Sequence, residues 1–165
     1  MLYTHILVPT DFSPAANRAL VYAFEEATQH QAKLTLLHVL QHQTTEVYYI
    51  KDAPQPGTTY AGEFGARLPS SPTPSPETIR RDYYEEARVQ LQDLVPATFP
   101  GTWEARVTAG HAAEAIVHTA EELGVDLIVM ATHGRTGVPH MLLGSVAEKV
   151  VRHSPCPVLT VRQKK

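Results

Sequence analysis

The sequence predicts an α/β protein: a five-stranded parallel open sheet with helices on both faces. Three observations carry that expectation. Short apolar runs such as "HILVP", "LTLLHVL" and "DLIVMAT" lack the polar alternation of a sheet with one wet face, so they read as strands buried on both sides. Between them lie longer stretches with apolar residues at helical spacing. The order strand-helix repeats to the end of the chain, and right-handed crossovers leave few other packings for it.

The elements follow in order. "HILVP" (His5 to Pro9) is the first strand. "DFSPAANRALVYAFEEATQHQAK" is a helix, with Ser13 as cap, Pro14 at its first position, and Ala15, Ala19, Tyr22, Ala23 and Ala27 on one face. Leu34 to Leu40 is the second strand and completes a βαβ unit. From Asp52 to Pro76 the chain carries six prolines among Gly, Ser and Thr, which block helix and sheet ladders. A flexible insertion at about residues 41–76 is expected, within one domain spanning residues 1–165. "PETIRRDYYEEARVQLQDLV" restores a helix, with Ile79, Tyr83, Ala87, Leu91 and Leu94 on one side. "TWEARVTAG" is a weaker, alternating strand expected near a sheet edge. "HAAEAIVHTAEELGV" is a helix closing at Gly124, and Asp126 to Thr132 is the fourth strand. "SVAEKVVRHS" is the last helix, with Val146, Val150 and Val151 on a common face, and "PVLTVR" is the last strand, at an edge.

Composition narrows the function classes. Hydrophobic residues make up 43% of the 165, enough for a core. The net charge is −3 and basic residues are scattered, so neither nucleic acid nor an anionic membrane surface is an expected partner. No apolar run reaches the roughly 18 residues a membrane span needs. The first residues, "MLYTHILVPTDFS", do not read as a secretory leader, and the one cysteine, Cys156, forms no intrachain disulfide, so a cytoplasmic location is expected. Cys156 lies between two prolines with no evident activating pair and reads as a structural thiol.

In open α/β sheets ligands bind beyond the carboxyl ends of the strands, where strand order reverses. That rule selects "VPTD", which puts Asp11 at the rim, "HVL" at the end of the second strand, and "ATHGRTGVPHMLLGSV" (Ala131 to Val146) after the fourth. The last holds three glycines and runs into a helix. Glycine-rich backbone amides and a helix N-terminus both attract anions, and Ser145 can cap that helix or donate to a phosphate oxygen. The residues alone admit a second reading, in which the glycines serve turns and Gly144-Ser145 is an ordinary cap. Asp11 likewise suits either a ribose or base contact or a cap of the first helix. The spacing is not that of a P-loop, because Gly144-Ser145 lacks the lysine, and no Gly-x-Gly-x-x-Gly follows the first strand.

"HILVPTDFSPAANRAL", "LTLLHVL", "DLIVMATHGRTG" and "LLGSVAEKVVRHSPCPVLTVR" together resemble the universal stress protein (UspA-like) family. The resemblance leaves out only about residues 41–76. It implies a Rossmann-like sheet of the adenine nucleotide alpha hydrolase-like kind. The family's ATP-binding branch carries Gly, two residues, Gly, nine residues, Gly, then Ser or Thr. Those places fall on Ala131, Gly134, Gly144 and Ser145, with Arg135 to Leu143 as the spacer, so Gly137 is a spacer residue and Ala131 replaces a glycine. The resemblance implies adenine near Pro9, Thr10 and Val39 and ribose near Asp11 and the Met130-Ala131 backbone. It puts the phosphates among His133, Gly134, Arg135, Gly144, Ser145 and Val146. The methyl of Ala131 costs little if its φ is negative and is strained if φ is positive.

The expectations are therefore an ATP-, ADP- or AMP-binding stress-response protein, nucleotide held at the carboxyl ends of strands 1 and 4. Mg2+ or Mn2+ would arrive on the phosphates, with no metal site from protein alone. A homodimer through Pro157 to Arg162 and an unidentified protein partner are implied by the resemblance. No catalytic residues stand out, and Arg135 and Asp11 support at most weak hydrolysis. A slow ATPase or adenylating enzyme, and a partner-binding module with an empty site, are the alternatives. His38 and His42 are four apart, but His38 falls in a strand, where that spacing does not converge on a metal; His111, Glu114 and His118 could share a helix face, and a solvated face is their expected reading.

Overall fold

The computed structural model describes residues 2–41, 76–133 and 143–162. Among the described residues nine elements alternate: β1 (His5–Pro9), α1 (Pro14–His30), β2 (Lys33–Leu40), α2 (Pro76–Asp93), β3 (Trp103–Ala109), α3 (Ala112–Leu123), β4 (Leu127–Ala131), α4 (Ser145–His153) and β5 (Val158–Val161). The strands form one parallel sheet in the order β3-β2-β1-β4-β5. This is the expected fold class. The insertion expected at about residues 41–76 lies outside the described residues, apart from its two ends.

Side chains alternate across the sheet, as the period of two requires. Ile6, Val8, Leu34, Leu36, Leu127 and Val129 pack with Ala19, Leu20, Ala23 and Ala27 of α1 and Leu91 of α2. Leu7, Leu37, Ile128 and Met130 pack on the other face with Ile116 and Ala120 of α3 and Ala147 and Val150 of α4. The apolar runs are continuous in sequence because both faces are covered.

The caps follow local chemistry. Ser13 Oγ accepts from the Ala16 amide, and Pro14 opens α1 at a position whose N–H has no intrahelical partner. Gly124 closes α3 in the left-handed region, at φ 59°. The expected apolar faces were too wide in three places: Tyr22, Tyr83 and Val151 are exposed. A helix against a sheet needs only a narrow stripe, which the small residues of α1 already supply. Among the described residues, no helix is long and apolar enough to cross a membrane.

Candidate functional site

The chain runs β1, β2, β3 toward one edge and then returns past β1 to lay down β4 and β5. The connections after β1 and β4 thus leave in opposite directions from adjacent strands. A crevice at their carboxyl ends is the geometric result.

On the β1 side the chain turns sharply. Thr10 donates its N–H to the Leu37 carbonyl at 2.9 Å, extending the sheet by one bond. The Phe12 amide donates to Thr10 Oγ1 at 3.0 Å, and the Ser13 amide to Asp11 Oδ1 at 3.1 Å. Asp11 therefore shapes the turn that precedes α1, while Ser13 is the cap. Phe12 sits at φ 63°, a left-handed backbone unusual for a bulky residue. Phe12 was not singled out in the sequence, and His38, which contacts this turn, was weighed there only against a metal; a strained φ leaves no compositional mark.

On the β4 side, Thr132 is buried and takes three bonds. Its N–H donates to the Val161 carbonyl at 3.0 Å, its carbonyl accepts from the Gly144 amide at 2.6 Å, and its Oγ1 lies 2.9 Å from His133 Nδ1. The Gly144 bond draws the start of α4 back to the end of β4. A Cβ on Gly144 would lie 2.9 Å from the Thr132 carbonyl oxygen, so the approach requires glycine. Gly144, not Ser145, is the N-cap of α4, and Ser145 is its first residue. The expected capping role of Ser145 is thereby corrected. The cap has no side chain to offer, so the first-turn amides of α4 are left for another acceptor.

Ala131 ends β4 in register with Val161 and has no positive φ. Its methyl packs with the α1-side cluster, whereas Met130, Val39, Leu143 and Val146 pack on the α3–α4 side. Pro9, Thr10, Asp11, Val39, Met130, Ala131, His133, Gly144, Ser145 and Val146 all fall on or beside the carboxyl edge of β1, β2 and β4. Gly134 and Arg135 lie outside the described residues. A cleft of about 370 Å³ adjoins the N-terminus of α4, lined by Gln41, Gly110 to Glu114, Ser145, Val146 and Lys149. Gly110 and the start of α3 were legible by the same carboxyl-edge rule, had it been applied to the third strand. A larger apolar hollow of about 450 Å³ lies away from this edge, between α1 and residues 96–100. Its walls offer few groups to fix a polar ligand.

Among the described residues no three His, Cys, Asp or Glu side chains converge to hold a metal. His111 is the N-cap of α3, and its side chain makes no capping hydrogen bond. His42 lies outside the described residues. Burial pushes the Cys156 thiol up from its ordinary pKa, away from thiolate chemistry.

The doubly wound sheet, with a glycine-closed approach and a helix start at its switch point, defines an α/β protein of the open parallel-sheet class. The model of the universal stress protein family matches residues 2–57 and 63–162, and this chain belongs to that family. A universal stress protein of Thermus aquaticus is 32% identical over 161 residues, covering 98% of this chain and 100% of its own length. Universal stress protein MJ0577 of Methanocaldococcus jannaschii is 29% identical, over 99% of this chain and 98% of its own. The solved structure of MJ0577 superposes with a TM-score of 0.75, over 100% of this chain and 99% of that one, at 28% identity. A universal stress protein solved in complex with cAMP has the same fold, with a TM-score of 0.65 at 23% identity, over 99% of this chain and 100% of that one.

Proposed function

We propose that this protein binds an adenine nucleotide (ATP, ADP or AMP) in the crevice between β1 and β4, and acts as a stress-response regulatory module. The observation that carries the reading is the glycine-only contact between Gly144 and Thr132. It sets uncapped helix amides at the switch point, the donor set that a phosphate chain needs. The occurrence of cAMP in a protein of this fold agrees with an adenine ligand.

In this reading Pro9, Thr10 and Val39 border the adenine, and Asp11 accepts from ribose hydroxyls beside the Met130-Ala131 backbone. Ser145 and Val146 give amides to phosphate, Gly144 holds the start of α4 in place through its bond to Thr132, and His133, Gly134 and Arg135 are the further phosphate contacts that the sequence resemblance implies. A divalent ion, Mg2+ or Mn2+, would be held by the phosphates. The departure at Ala131 does not count against the fit, because its backbone is extended and its methyl belongs to the α1-side packing.

Two measurements on one sample test this. Calorimetric titration should give a micromolar-range dissociation constant for at least one of ATP, ADP and AMP; no heat and no thermal shift with all three sinks the reading. Product analysis after incubation with labelled ATP should return the nucleotide intact, and multiple turnover would support the slow-ATPase alternative instead. We also propose that β5, which pairs with β4 on one side and lies at the sheet edge, joins two copies of the chain. A monomer in sedimentation at micromolar concentration refutes that pairing.

A further inference from the structure

The turn that carries Asp11 is held from the α1 side of the sheet. On β2, Leu37 and Val39 face α3 and α4, so His38 stands on the other face, with Leu36. His38 Nδ1 lies 2.8 Å from the Thr10 carbonyl oxygen. A carbonyl only accepts, so Nδ1 carries a proton and donates it. The same ring meets the Phe12 ring at 4.4 Å between centroids, tilted by 36°. Phe12 is the residue at φ 63°, a conformation an aromatic side chain holds only when its surroundings impose it. Because Phe12 is left-handed, the chain reverses between Asp11 and Ser13 and brings the Ser13 amide onto Asp11 Oδ1.

We infer that His38 is a positioning residue for the nucleotide site. It clamps the Thr10–Phe12 turn in the strained form that presents Asp11 at the carboxyl edge, using one hydrogen bond and one ring contact. The consequence for ligand rests on the proposed nucleotide reading; the clamp itself is readable without ligand. Nothing in this role puts His38 against the nucleotide, since Val39, its neighbour on the strand, takes the opposite face.

The two halves of the clamp separate by substitution. His38→Asn keeps an N–H donor near the place of Nδ1 and gives up most of the ring contact. His38→Phe keeps a ring and loses the donor. His38→Ala loses both. Amide hydrogen exchange at Phe12 and Ser13 reads the turn, with the amides of Ile6 and Leu36 in the sheet as internal reference, below each variant's unfolding temperature. His38→Ala should speed exchange at Phe12 and Ser13 about tenfold or more and weaken nucleotide binding about tenfold, with the reference amides unchanged. His38→Asn should stay within about threefold of the parent on both readouts, and His38→Phe should fall between. Unchanged exchange at Phe12 and Ser13 in both His38→Ala and His38→Phe overturns the clamp. Faster exchange spread evenly over Ile6 and Leu36 also overturns it, because that marks general packing. If exchange responds as expected but the parent gives no heat with ATP, ADP or AMP, the nucleotide reading fails, and the role of His38 in a nucleotide site fails with it.

Discussion

The two ends of the same five strands are built differently. At the amino end, side chains close the sheet on one another. Asp126 accepts from the Thr4 amide at 2.7 Å, from Thr4 Oγ1 at 2.6 Å and from the His5 amide at 3.0 Å. His5 Nε2 lies 2.7 Å from Thr35 Oγ1, which donates to Glu104 at 2.9 Å, and Lys33 binds the other oxygen of Glu104 at 2.7 Å. Thr35 has no solvent exposure and one proton to give; with Glu104 taking it, His5 Nε2 is the donor. At the carboxyl end, backbone groups are at least one party to each of the contacts described: the Thr10 carbonyl to His38, the Phe12 and Ser13 amides to Thr10 and Asp11, and the Gly144 amide to the Thr132 carbonyl. Strands need both ends fixed to stay in register, but only one end can also face a ligand. Side-chain pairs fasten one edge, and the other presents the helix amides that the proposed nucleotide reading assigns to phosphate.

The largest effect expected from breaking this division is at Gly144. Its φ of −72° suits any residue, so the penalty of a side chain there is purely steric. In Gly144→Ala the new Cβ meets a backbone carbonyl that Thr132 cannot withdraw without losing its sheet bond to Val161. The start of α4 must move instead. We expect a loss of about 1–3 kcal/mol in stability and a loss of nucleotide affinity beyond about tenfold, read by thermal unfolding and calorimetry. Parent-like affinity in a folded Gly144→Ala protein would remove the glycine approach as the basis of the site.

A smaller effect lies at the opposite edge and separates stability from binding. Bonds from the Thr4 side chain, then its amide, hold the Asp126 carboxyl below its ordinary value of 3.8. The Lys33 hydrogen bond does the same for Glu104 against 4.5. Burial first, then the charge of Lys33, lowers His5 from 6.5. All three groups bind fewer protons folded than unfolded. Their contributions are complete above the ordinary values and are lost as pH falls through the lowered ones. Unfolding temperature should therefore begin to drop below pH 6.5, from His5, and drop further below about 4.5, from the two carboxylates. Asp126→Asn should cost about 1 kcal/mol at pH 7, since these bonds face solvent, flatten the acid limb, and leave nucleotide affinity unchanged. A pH-independent unfolding temperature between pH 7 and 4 contradicts this account.

The sequence made most of the fold legible because burial on both faces leaves a one-dimensional signature. "LTLLHVL" carries apolar residues on both of its faces since Leu36 and Leu37 each meet a helix. The candidate site was legible in position where glycine spacing or a strand end marks it, with Asp11 and Gly144 at the carboxyl edge. It was not legible where the decisive property is a dihedral or a long-range contact. Phe12 reads as an ordinary apolar residue, His38 as one histidine among nine, and Asp126 as the first residue of a strand rather than the acceptor that fastens β1. Those roles arise from partners far along the chain, as with Thr4 and Asp126, 122 residues apart.

The smallest effect is expected at Ala131, where this chain departs from the glycine pattern that its sequence resemblance implies. Gly144 and Ala131 occupy the two ends of one motif, yet their physical demands are opposite. Gly144 needs the absence of a Cβ. Ala131 lies in extended backbone paired in register with Val161, and its methyl is packed with the α1-side cluster rather than with Met130 and Val39. Restoring glycine there gains no conformational relief and gives up a packed methyl in a strand, a loss of about 0.5–1 kcal/mol. Ala131→Gly should thus unfold slightly earlier and bind nucleotide within about threefold of the parent, less than the change from one ordinary hydrogen bond. An affinity gain of tenfold or more would mean that the methyl intrudes on the ligand, and that the two faces of β4 at this edge are not as separate as the packing makes them.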